Sequence, residues 1–281
     1  MTPRANPTNS ERQKLPLGIF DSGIGGLTVV RQVHRALPGE DIVYLGDTAR
    51  VPYGTKSPGT VVRFACEDTA FLLRQNVKAV IVACNTASAW ALPALEKQFG
   101  VPIFGVIQPG VRGALEKTRN HRIGVIATSA TVRSGAYSRG VLDCCKEARV
   151  FARACPLLVP LVEEGWTHHR VTRAVLREYL APLRRHRIDT LILGCTHYPL
   201  LKQAIRLTLG PGVALIDSAA SCADFVRDRL HQLGLLRKTR RTGIIRPYVT
   251  DEPERFGEMA KRFLGVPCEP AQKVDLEPGV R

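Results

Sequence analysis

The 281-residue sequence predicts an α/β protein with mainly parallel sheets, and three observations support that fold class. Short apolar segments rich in Val, Ile and Leu, typical of strands buried on both faces, alternate with amphipathic segments of helical spacing. This alternation indicates parallel strands joined by helices that cover the sheet. Apolar segments of the first half also resemble segments of the second half, which suggests two related units of about a hundred residues each.

The apolar segments predict eight strands, and the segments of helical spacing predict helices between them. The strands are residues 17–20, 41–45, 79–83, 103–106, 122–126, 150–153, 190–193 and 213–216. The helical segments are residues 60–75, 89–98, 111–118 and 171–183. FDSGIGG (residues 20–26) follows the first strand and opens a further helix, and its glycines allow the backbone to approach a ligand closely.

The internal repeat places two cysteines at matched positions. VIVACNT (residues 80–86) resembles LILGCTH (191–197), and LGIFDS (17–22) resembles IGVIAT (123–128). Cys84 and Cys195 therefore each follow a strand and precede a helical segment. The carboxyl ends of parallel strands are where α/β sheets bind ligands, and a helix N-terminus lowers the pKa of a thiol. We expect both thiols to face one cleft, with lowered pKa values.

Two opposed thiols permit three kinds of chemistry. A disulfide pair lacks the CxxC motif of redox proteins. Cys195 and His197 offer sulfur and imidazole to a metal, but no further cluster supplies the remaining ligands of zinc. A matched acid and base is the third option, because a thiol pKa can be brought near the working pH. Inversion of a stereocentre requires such a pair on opposite faces.

Other polar segments leave alternatives open. Asp21 is equally well interpreted as a helix cap or as a catalytic group, while Ser22 can donate a hydrogen bond. FDSGIGG matches neither the dinucleotide fingerprint nor a P-loop, so a nucleotide site is disfavoured. YLGDTARVPYG (residues 44–54) is either a structural turn or a substrate loop. Glu163 and Glu164 are either solvated acids at a helix end or partners for His197.

The composition excludes several classes of protein. Hydrophobic residues make up 44% and charged residues 23% of the chain, as in an average globular protein. No apolar window reaches the roughly 18 residues of a membrane helix, and the polar first 14 residues contain no secretory signal. We therefore expect a cytoplasmic protein without membrane association, whose eight cysteines are free thiols.

The formal net charge of +15 makes a polyanion a candidate partner. The densest basic run comprises Arg237, Lys238, Arg240, Arg241 and Arg246. No nucleic-acid-binding motif surrounds it, so we interpret it as a solvated basic face. The charge also suits an anionic small substrate. The polar, proline-containing ends, residues 1–14 and 269–281, are expected to be mobile tails.

Seven segments resemble the cofactor-independent glutamate racemases of the aspartate/glutamate racemase superfamily. They are GIFDSGIGGLTV (18–29), YLGDTARVPYG (44–54), VIVACNTASA (80–89), SGAYSRGVL (134–142), VPLVEEG (159–165), LILGCTHYPLL (191–201) and LIDSA (215–219). They are spread over about residues 17–230, in the order of the family. ATSAT (127–131) departs from the family's GT-x-GT pattern, which puts local backbone packing in doubt.

The resemblance implies two flavodoxin-like parallel-sheet domains related by pseudo-twofold symmetry, with the active site at their interface. The first lobe is expected to comprise residues 15–108 and 219–268, and the second residues 109–218. Cys84 and Cys195 correspond to the family's acid/base residues, Asp21 and His197 to their helpers, and Glu163 to the acid beside the histidine. That last assignment could be one residue out, at Glu164.

The resemblance also implies the substrate and its contacts. Glutamate is expected to contact Asp21, Ser22, Tyr53, Gly54, Asn85, Thr86, Thr196 and His197. No metal or pyridoxal phosphate is implied; the activity would supply D-glutamate for peptidoglycan, and a homodimer is expected. A racemase of aspartate or another amino acid is the rival within this mechanism, although the CTHYPLL segment favours glutamate. A basic nucleic-acid-binding protein with a vestigial enzyme fold is the rival from another class.

Overall fold

The computed structural model describes residues 8–277 and contains two parallel sheets. The strands are β1 Leu17–Asp21, β2 Ile42–Gly46, β3 Ala79–Val82, β4 Ile103–Gly105, β5 Arg122–Ala127, β6 Arg149–Ala154, β7 Thr190–Gly194, β8 Ala214–Asp217, β9 Ile245–Val249 and β10 Gln272–Lys273. The first sheet has the order β10-β9-β2-β1-β3-β4 and the second the order β6-β5-β7-β8. All pairs are parallel. The predicted α/β class is confirmed.

Helices connect successive strands and cover the sheets. They are α1 Asn9–Lys14, α2 Leu27–Ala36, α3 Pro58–Arg74, α4 Asn85–Gln98, α5 Ile107–Lys117, α6 Ser129–Ser134, α7 Ala136–Cys144, α8 Leu158–Glu163, α9 Arg170–Arg185, α10 Lys202–Leu209, α11 Ser218–Gln232 and α12 Pro253–Phe263. No helix within residues 8–277 combines the length and the apolar character needed to cross a membrane.

The internal repeat predicted from the sequence appears as a shared strand order. In the first sheet the strands β2-β1-β3-β4 are neighbours, and in the second sheet β6-β5-β7-β8 follow the same second-first-third-fourth pattern. This is the order of flavodoxin-like folds, in which ligands bind where the strand order reverses. Cys84 follows β3 and Cys195 follows β7, so both thiols lie beyond the third strand of their repeat.

The eight predicted strands agree with β1–β8 to within one residue at each end, but two helices begin four residues earlier than predicted. The first turn of α4 holds the polar residues Asn85, Thr86 and Ser88, which are buried and so hide the amphipathic pattern. The first turn of α5 contains Pro109, which is tolerated there because the backbone N–H groups of a first turn lack intrahelical partners.

Strand β9 was not predicted, and its sequence explains why. IRPYV combines a charged residue with Pro247, a pattern that argues against an interior strand. In the first sheet Pro247 is in register with Tyr44 of β2, and β10 pairs only with Tyr248 and Val249 beyond it. Pro247 has no backbone N–H, but because β10 pairs only with the two residues after it, no hydrogen bond between β9 and β10 is lost.

The predicted mobile tails require correction. The capping box of Thr8 and Glu11 begins helix α1, and the Gln13 side chain donates to the carbonyl of Gly234. Strand β10 lies inside the predicted C-terminal tail. Residues 1–7 and 278–281 of these two segments lie outside the described residues. The lobe boundaries at 108/109 and 218/219 stay a prediction.

Two residues of the basic run that begins at Arg237 take part in a network of ion pairs. Arg237 and Arg241 both pair with the buried carboxylate of Asp41, whose pKa they lower to about 2 against the opposing effect of burial. Beside them the buried Lys78 ammonium pairs with Glu40 and donates to the carbonyl of Gln13. The interpretation as a solvated basic face is therefore wrong for Arg237, whereas Arg241 pairs with Asp41 from an exposed position.

The Lys78–Glu40 pair predicts a large effect on stability. Lys78→Met leaves the carboxylate of Glu40 buried without its ammonium partner, so we expect a loss of about 3–5 kcal/mol in the free energy of unfolding, measured by urea denaturation. The double variant Lys78→Met, Glu40→Leu should recover most of that loss. Lys97→Met, at an exposed lysine, is the control. A double variant no more stable than the single one would contradict the assignment.

Candidate active site

A cavity of about 370 Å³ opens where the carboxyl ends of strands from both sheets meet, a volume in the usual range of small-molecule sites. Its lining residues are Ser22, Gly23, Val51, Pro52, Tyr53, Gly54, Thr55, Cys84, Asn85, Thr86, Thr128, Ser129, Pro156, Val159, Pro160, Glu163, Cys195, Thr196 and His197. Every predicted site residue except Asp21 is among them. Asp21 is buried at the end of β1, next to Ser22.

The lining carries no cationic ammonium or guanidinium group. Among the residues of 8–277 that line the cavity, none is Lys or Arg, despite the net charge of +15. An anionic ligand must therefore be held by backbone N–H groups, hydroxyls, amides and the imidazole of His197. The N-terminus of α4, a helix of 14 residues, supplies N–H groups and the positive end of a helix dipole at this cavity.

Cys84 is the N-cap residue of α4 and is almost fully buried. Its thiol donates to the hydroxyl of Ser22 at 3.6 Å. Burial, followed by the negative charge of Asp21, raises the pKa of Cys84 to about 12, although the N–H of Ala87 and the Ser22 hydroxyl act in the opposite direction. The lowering expected from the helix N-terminus is therefore wrong for Cys84, because desolvation outweighs it.

Asp21 lies beneath the cavity and joins the two lobes. Its carboxylate accepts from the N–H of Gly23 at 3.1 Å and from the hydroxyl of Thr196 at 3.5 Å. Burial raises the pKa of Asp21, partly offset by the positive charge of His197. The negative charge of Asp21 in turn raises the pKa of Cys84, so the protonation of one group affects that of the other.

The Cys195 side is built from a chain of three groups. The Cys195 sulfur lies 3.8 Å from Nδ1 of His197, and Nε2 of His197 lies 2.8 Å from a carboxylate oxygen of Glu163. Burial disfavours the imidazolium, but the hydrogen bonds to Cys195 and Glu163 outweigh it and raise the pKa of His197 to about 10. For Glu163, burial is likewise outweighed by the bond to His197, which lowers its pKa.

Glu163, rather than its neighbour Glu164, contacts His197. Glu163 ends α8 and points to the imidazole, whereas Glu164 follows the helix as its exposed C-cap. Gly165 then adopts a φ of +76°, which turns the chain away from the site. The sequence left open whether Glu163 or Glu164 contacts His197, and in the structure the contact is made by Glu163.

Close contacts between the lobes bring the two cysteines to one cavity. Thr28 of α2 donates its hydroxyl to the carbonyl of Thr196 at 2.8 Å. A side chain at Gly25 would overlap Thr196 and His197, so only glycine permits this approach. On the other side, the amide oxygen of Asn85 accepts from the hydroxyl of Tyr137 at 2.7 Å.

Three threonine hydroxyls form a cluster across the interface. Those of Thr86, Thr128 and Thr131 lie 2.9–3.0 Å from one another. Thr128 also caps α6 by accepting from the N–H of Thr131. The departure from the family pattern at ATSAT therefore retains both threonines. Thr128 and Ser129 were missed as site residues, although their position beyond β5, the counterpart of β1, was a signal that could have identified them.

Tyr53 lines the cavity, but its hydroxyl forms hydrogen bonds with residues that do not line the cavity. It contacts the carboxylates of Asp47 and Asp68, the latter at 3.0 Å, and Arg50 pairs with both of these acids. Burial and the charge of Asp47 raise the pKa of Asp68. The hydroxyl of Tyr53 therefore fixes the 48–55 loop, while the rest of the residue and Gly54 face the ligand space.

Comparison with known proteins agrees with this geometry. The family model of the Asp/Glu/hydantoin racemases matches residues 19–226. The chain belongs to this family. It is 50% identical over 261 residues to the glutamate racemase of Geobacter metallireducens, covering 93% of this chain and 97% of that protein. It is 48% identical over 269 residues to the glutamate racemase of Neisseria meningitidis serogroup A, covering 95% and 99%.

Solved structures of family members share the fold. A glutamate racemase isoform from Bacillus anthracis superimposes with a TM-score of 0.91 at 38% identity, covering 94% of this chain and 98% of that one. The glutamate racemase of Francisella tularensis in complex with D-glutamate gives a TM-score of 0.88 at 40% identity, covering 94% and 99%. The aspartate racemase of Picrophilus torridus gives 0.56 at 20% identity, covering 78% and 94%, and shows a likeness of fold alone.

The apolar part of the lining was not predicted. Val51, Pro52, Pro156, Val159 and Pro160 carry no group that a search for catalytic chemistry would select. Val51, Pro52, Val159 and Pro160 lie within segments that the sequence analysis did identify. Pro156 precedes α8, and only the packing of the two lobes brings it to the cavity.

The raised pKa of His197 predicts a pH-dependent contribution to stability. Because its folded-state pKa of about 10 exceeds the ordinary value of 6.5, the stabilisation is fully present below pH 6.5 and is lost as the pH rises towards 10. The difference in the free energy of unfolding between wild type and His197→Asn, from urea denaturation, should therefore be largest near pH 6 and shrink towards pH 10. His168→Asn, at an exposed histidine, is the control. A difference that stays constant over this range would refute the assignment.

Proposed function

We propose that the chain is a glutamate racemase, an isomerase that interconverts L- and D-glutamate by proton transfer between two thiols. One observation carries the proposal: Cys84 and Cys195 follow the equivalent third strands of two repeats and open on one cavity. The relatives named above, at about half-identical sequence over nearly the whole chain, support glutamate as the substrate.

The reaction removes a proton from one face of a single carbon atom and returns a proton to the opposite face. A thiolate on one face removes the α-proton, the electron pair stays on the carbon, and a planar carbanion forms. The thiol on the other face then donates its proton to the opposite side of that carbon. The first sulfur ends as a thiol and the second as a thiolate, so no other reactant is needed and neither metal nor pyridoxal phosphate takes part.

The groups beside each sulfur are assigned distinct roles. Asp21 and Ser22 assist Cys84, while His197 and Glu163 assist Cys195. At neutral pH the raised pKa of Cys84 keeps it as a thiol, so it begins as the acid. For the reverse direction a substrate must lower that pKa, and the ammonium group of glutamate would act in this sense.

The cavity supplies hydrogen bonds for the two carboxylates of glutamate. The N–H groups at the start of α4 and the hydroxyls of Ser22, Thr86 and Thr196 are the donors. The side-chain N–H₂ of Asn85 is buried and has no partner within the described residues, which supports its use by the ligand. These donors would stabilise charge that develops during removal of a weakly acidic α-proton.

Further expectations accompany this assignment. The protein is proposed to act in the cytoplasm as a homodimer and to supply D-glutamate for peptidoglycan. Light scattering of the purified protein, with its elution volume, measures the oligomeric state. Aspartate remains the substrate to exclude, because an enzyme of the same mechanism needs only a differently shaped side-chain pocket.

Racemisation in D₂O tests the proposal. Purified protein free of cofactors should abolish the optical activity of both L- and D-glutamate, followed by circular dichroism, while NMR detects deuterium at the α-carbon of the product. Aspartate should react far more slowly. Activity with aspartate alone would retain the mechanism and change the substrate, whereas no reaction with either would refute the proposed function.

Variants of the two cysteines test the mechanism. Cys84→Ser and Cys195→Ser should each lower kcat by at least about a hundredfold, because each removes a group that transfers a proton in the transition state. Cys222→Ala, at a buried cysteine of α11 outside the cavity, is the matched control and should retain activity. Unchanged racemisation by Cys84→Ser would contradict the two-thiol mechanism.

A further inference from the structure

Helix α12 reaches from one lobe to the catalytic groups of the other. It follows β9 of the first sheet, but its C-terminal end contacts residues attached to the second sheet. The ring of Phe263 meets the imidazole of His197 edge-to-face, with centroids 5.5 Å apart and planes at 83°. Arg262 donates to the backbone carbonyl of Glu163 at 3.0 Å. Two adjacent residues therefore hold both members of the His197–Glu163 pair.

The remainder of α12 is firmly packed, so it can serve as a support. Phe256, Met259, Ala260 and Phe263 are buried and lie on one face of the helix. Phe256 stacks on Tyr44 of β2 at 6.0 Å, which ties the helix to the first sheet. Gly165 leaves room for the guanidinium of Arg262, where a side chain would overlap it.

We propose that Phe263 and Arg262 are positioning residues for the Cys195 side of the site alone. Phe263 restricts the plane of the His197 ring, and Arg262 fixes the backbone of Glu163, so that the imidazole is held between its carboxylate and the Cys195 sulfur. This inference rests on the proposed racemase function. It assigns a role to α12, a helix that none of the sequence motifs covers.

The support is asymmetric, since Cys84 has none of these contacts. Its hydrogen-bond partners, Ser22 and the first turn of α4, belong to the first lobe, as does Asp21, and the charge of Cys195 acts on it from the second lobe. The charged and titratable groups that act on His197 are Glu163, Cys195 and Asp21. Arg255 of α12 acts one step further away, on the carboxylate of Glu163. A weaker hold by α12 should therefore raise the barrier for proton transfer at Cys195 and leave the barrier at Cys84 unchanged.

Isotope effects in the two directions of racemisation test this asymmetry. The variants are Phe263→Leu and Arg262→Gln, and the measured quantity is kcat/KM with α-protiated and α-deuterated L- and D-glutamate. Phe71→Leu removes another edge-to-face contact, with Tyr248 at 5.3 Å, and Lys261→Gln changes an exposed charge on α12. Both are controls outside the catalytic and binding machinery. His197→Asn defines which direction reports on Cys195.

Enantiomers are equally stable, so any loss of kcat/KM must be the same in both directions; we expect about two- to tenfold for Phe263→Leu, the range for one aromatic pair. The deuterium isotope effects on kcat/KM should nevertheless differ between the two directions. In the direction in which Cys195 removes the labelled α-proton, the isotope effect should increase. In the direction in which Cys84 removes it, the isotope effect should decrease, and His197→Asn should show the same pattern. Equal changes in both directions, or values like those of the controls, would overturn the proposal.

Alkylation of the two thiols provides a second readout that needs no turnover. Trypsin places Cys84 in residues 79–97 and Cys195 in residues 188–202, so mass spectrometry measures both rates in one sample. In Phe263→Leu the rate of alkylation by iodoacetamide at one fixed pH should change at Cys195, in the same direction as in His197→Asn, and stay the same at Cys84. An equal change of rate at both thiols, or no change at either, would overturn the role of α12. Failure of wild-type protein to racemise glutamate would refute the proposed function instead.

Discussion

The proposed mechanism imposes one constraint on the fold, which is that two thiols must reach opposite faces of one carbon atom. The repeat meets this constraint by geometry, since each third strand delivers its cysteine to a carboxyl edge and both cysteines line one cavity. Much of the remaining architecture maintains that approach. Gly25 at Thr196, Gly54 at Thr128 and the Thr28 hydroxyl at the Thr196 carbonyl all bring the lobes closer than ordinary side chains would permit.

Burial gives the site its specificity and also opposes its chemistry. A cavity closed to water strengthens every hydrogen bond to the ligand, but it disfavours the thiolate that must remove a proton. The two sides meet this conflict differently. Cys195 lies beside an imidazole that Glu163 keeps basic, whereas Cys84 lies beside a carboxyl group whose own burial favours its neutral form. A pseudosymmetric fold thus carries a chemically unsymmetric pair.

Local sequence patterns predicted the eight central strands and the positions of both cysteines, because buried parallel strands have a distinctive composition. They failed where a residue's environment is set by distant parts of the chain. Pro247 argued against β9, and nothing local showed that β10 would pair only beyond it. The lowered pKa expected for Cys84 was wrong for the same reason, since burial in the folded protein outweighs the local helix dipole.

The placement of β9 has a consequence for the order in which the chain can assemble. The second sheet is drawn from one continuous stretch between β5 and β8, whereas the first sheet pairs Ile42 with Ile245. During synthesis from the N-terminus, the second sheet can therefore form while the first still lacks its last strands. The pairing of β2 with β9 can form only after β9 has been synthesised, and only then can α12 reach Glu163 and His197. A chain that ends before β9 would contain both cysteines but not the contacts that α12 makes with the site.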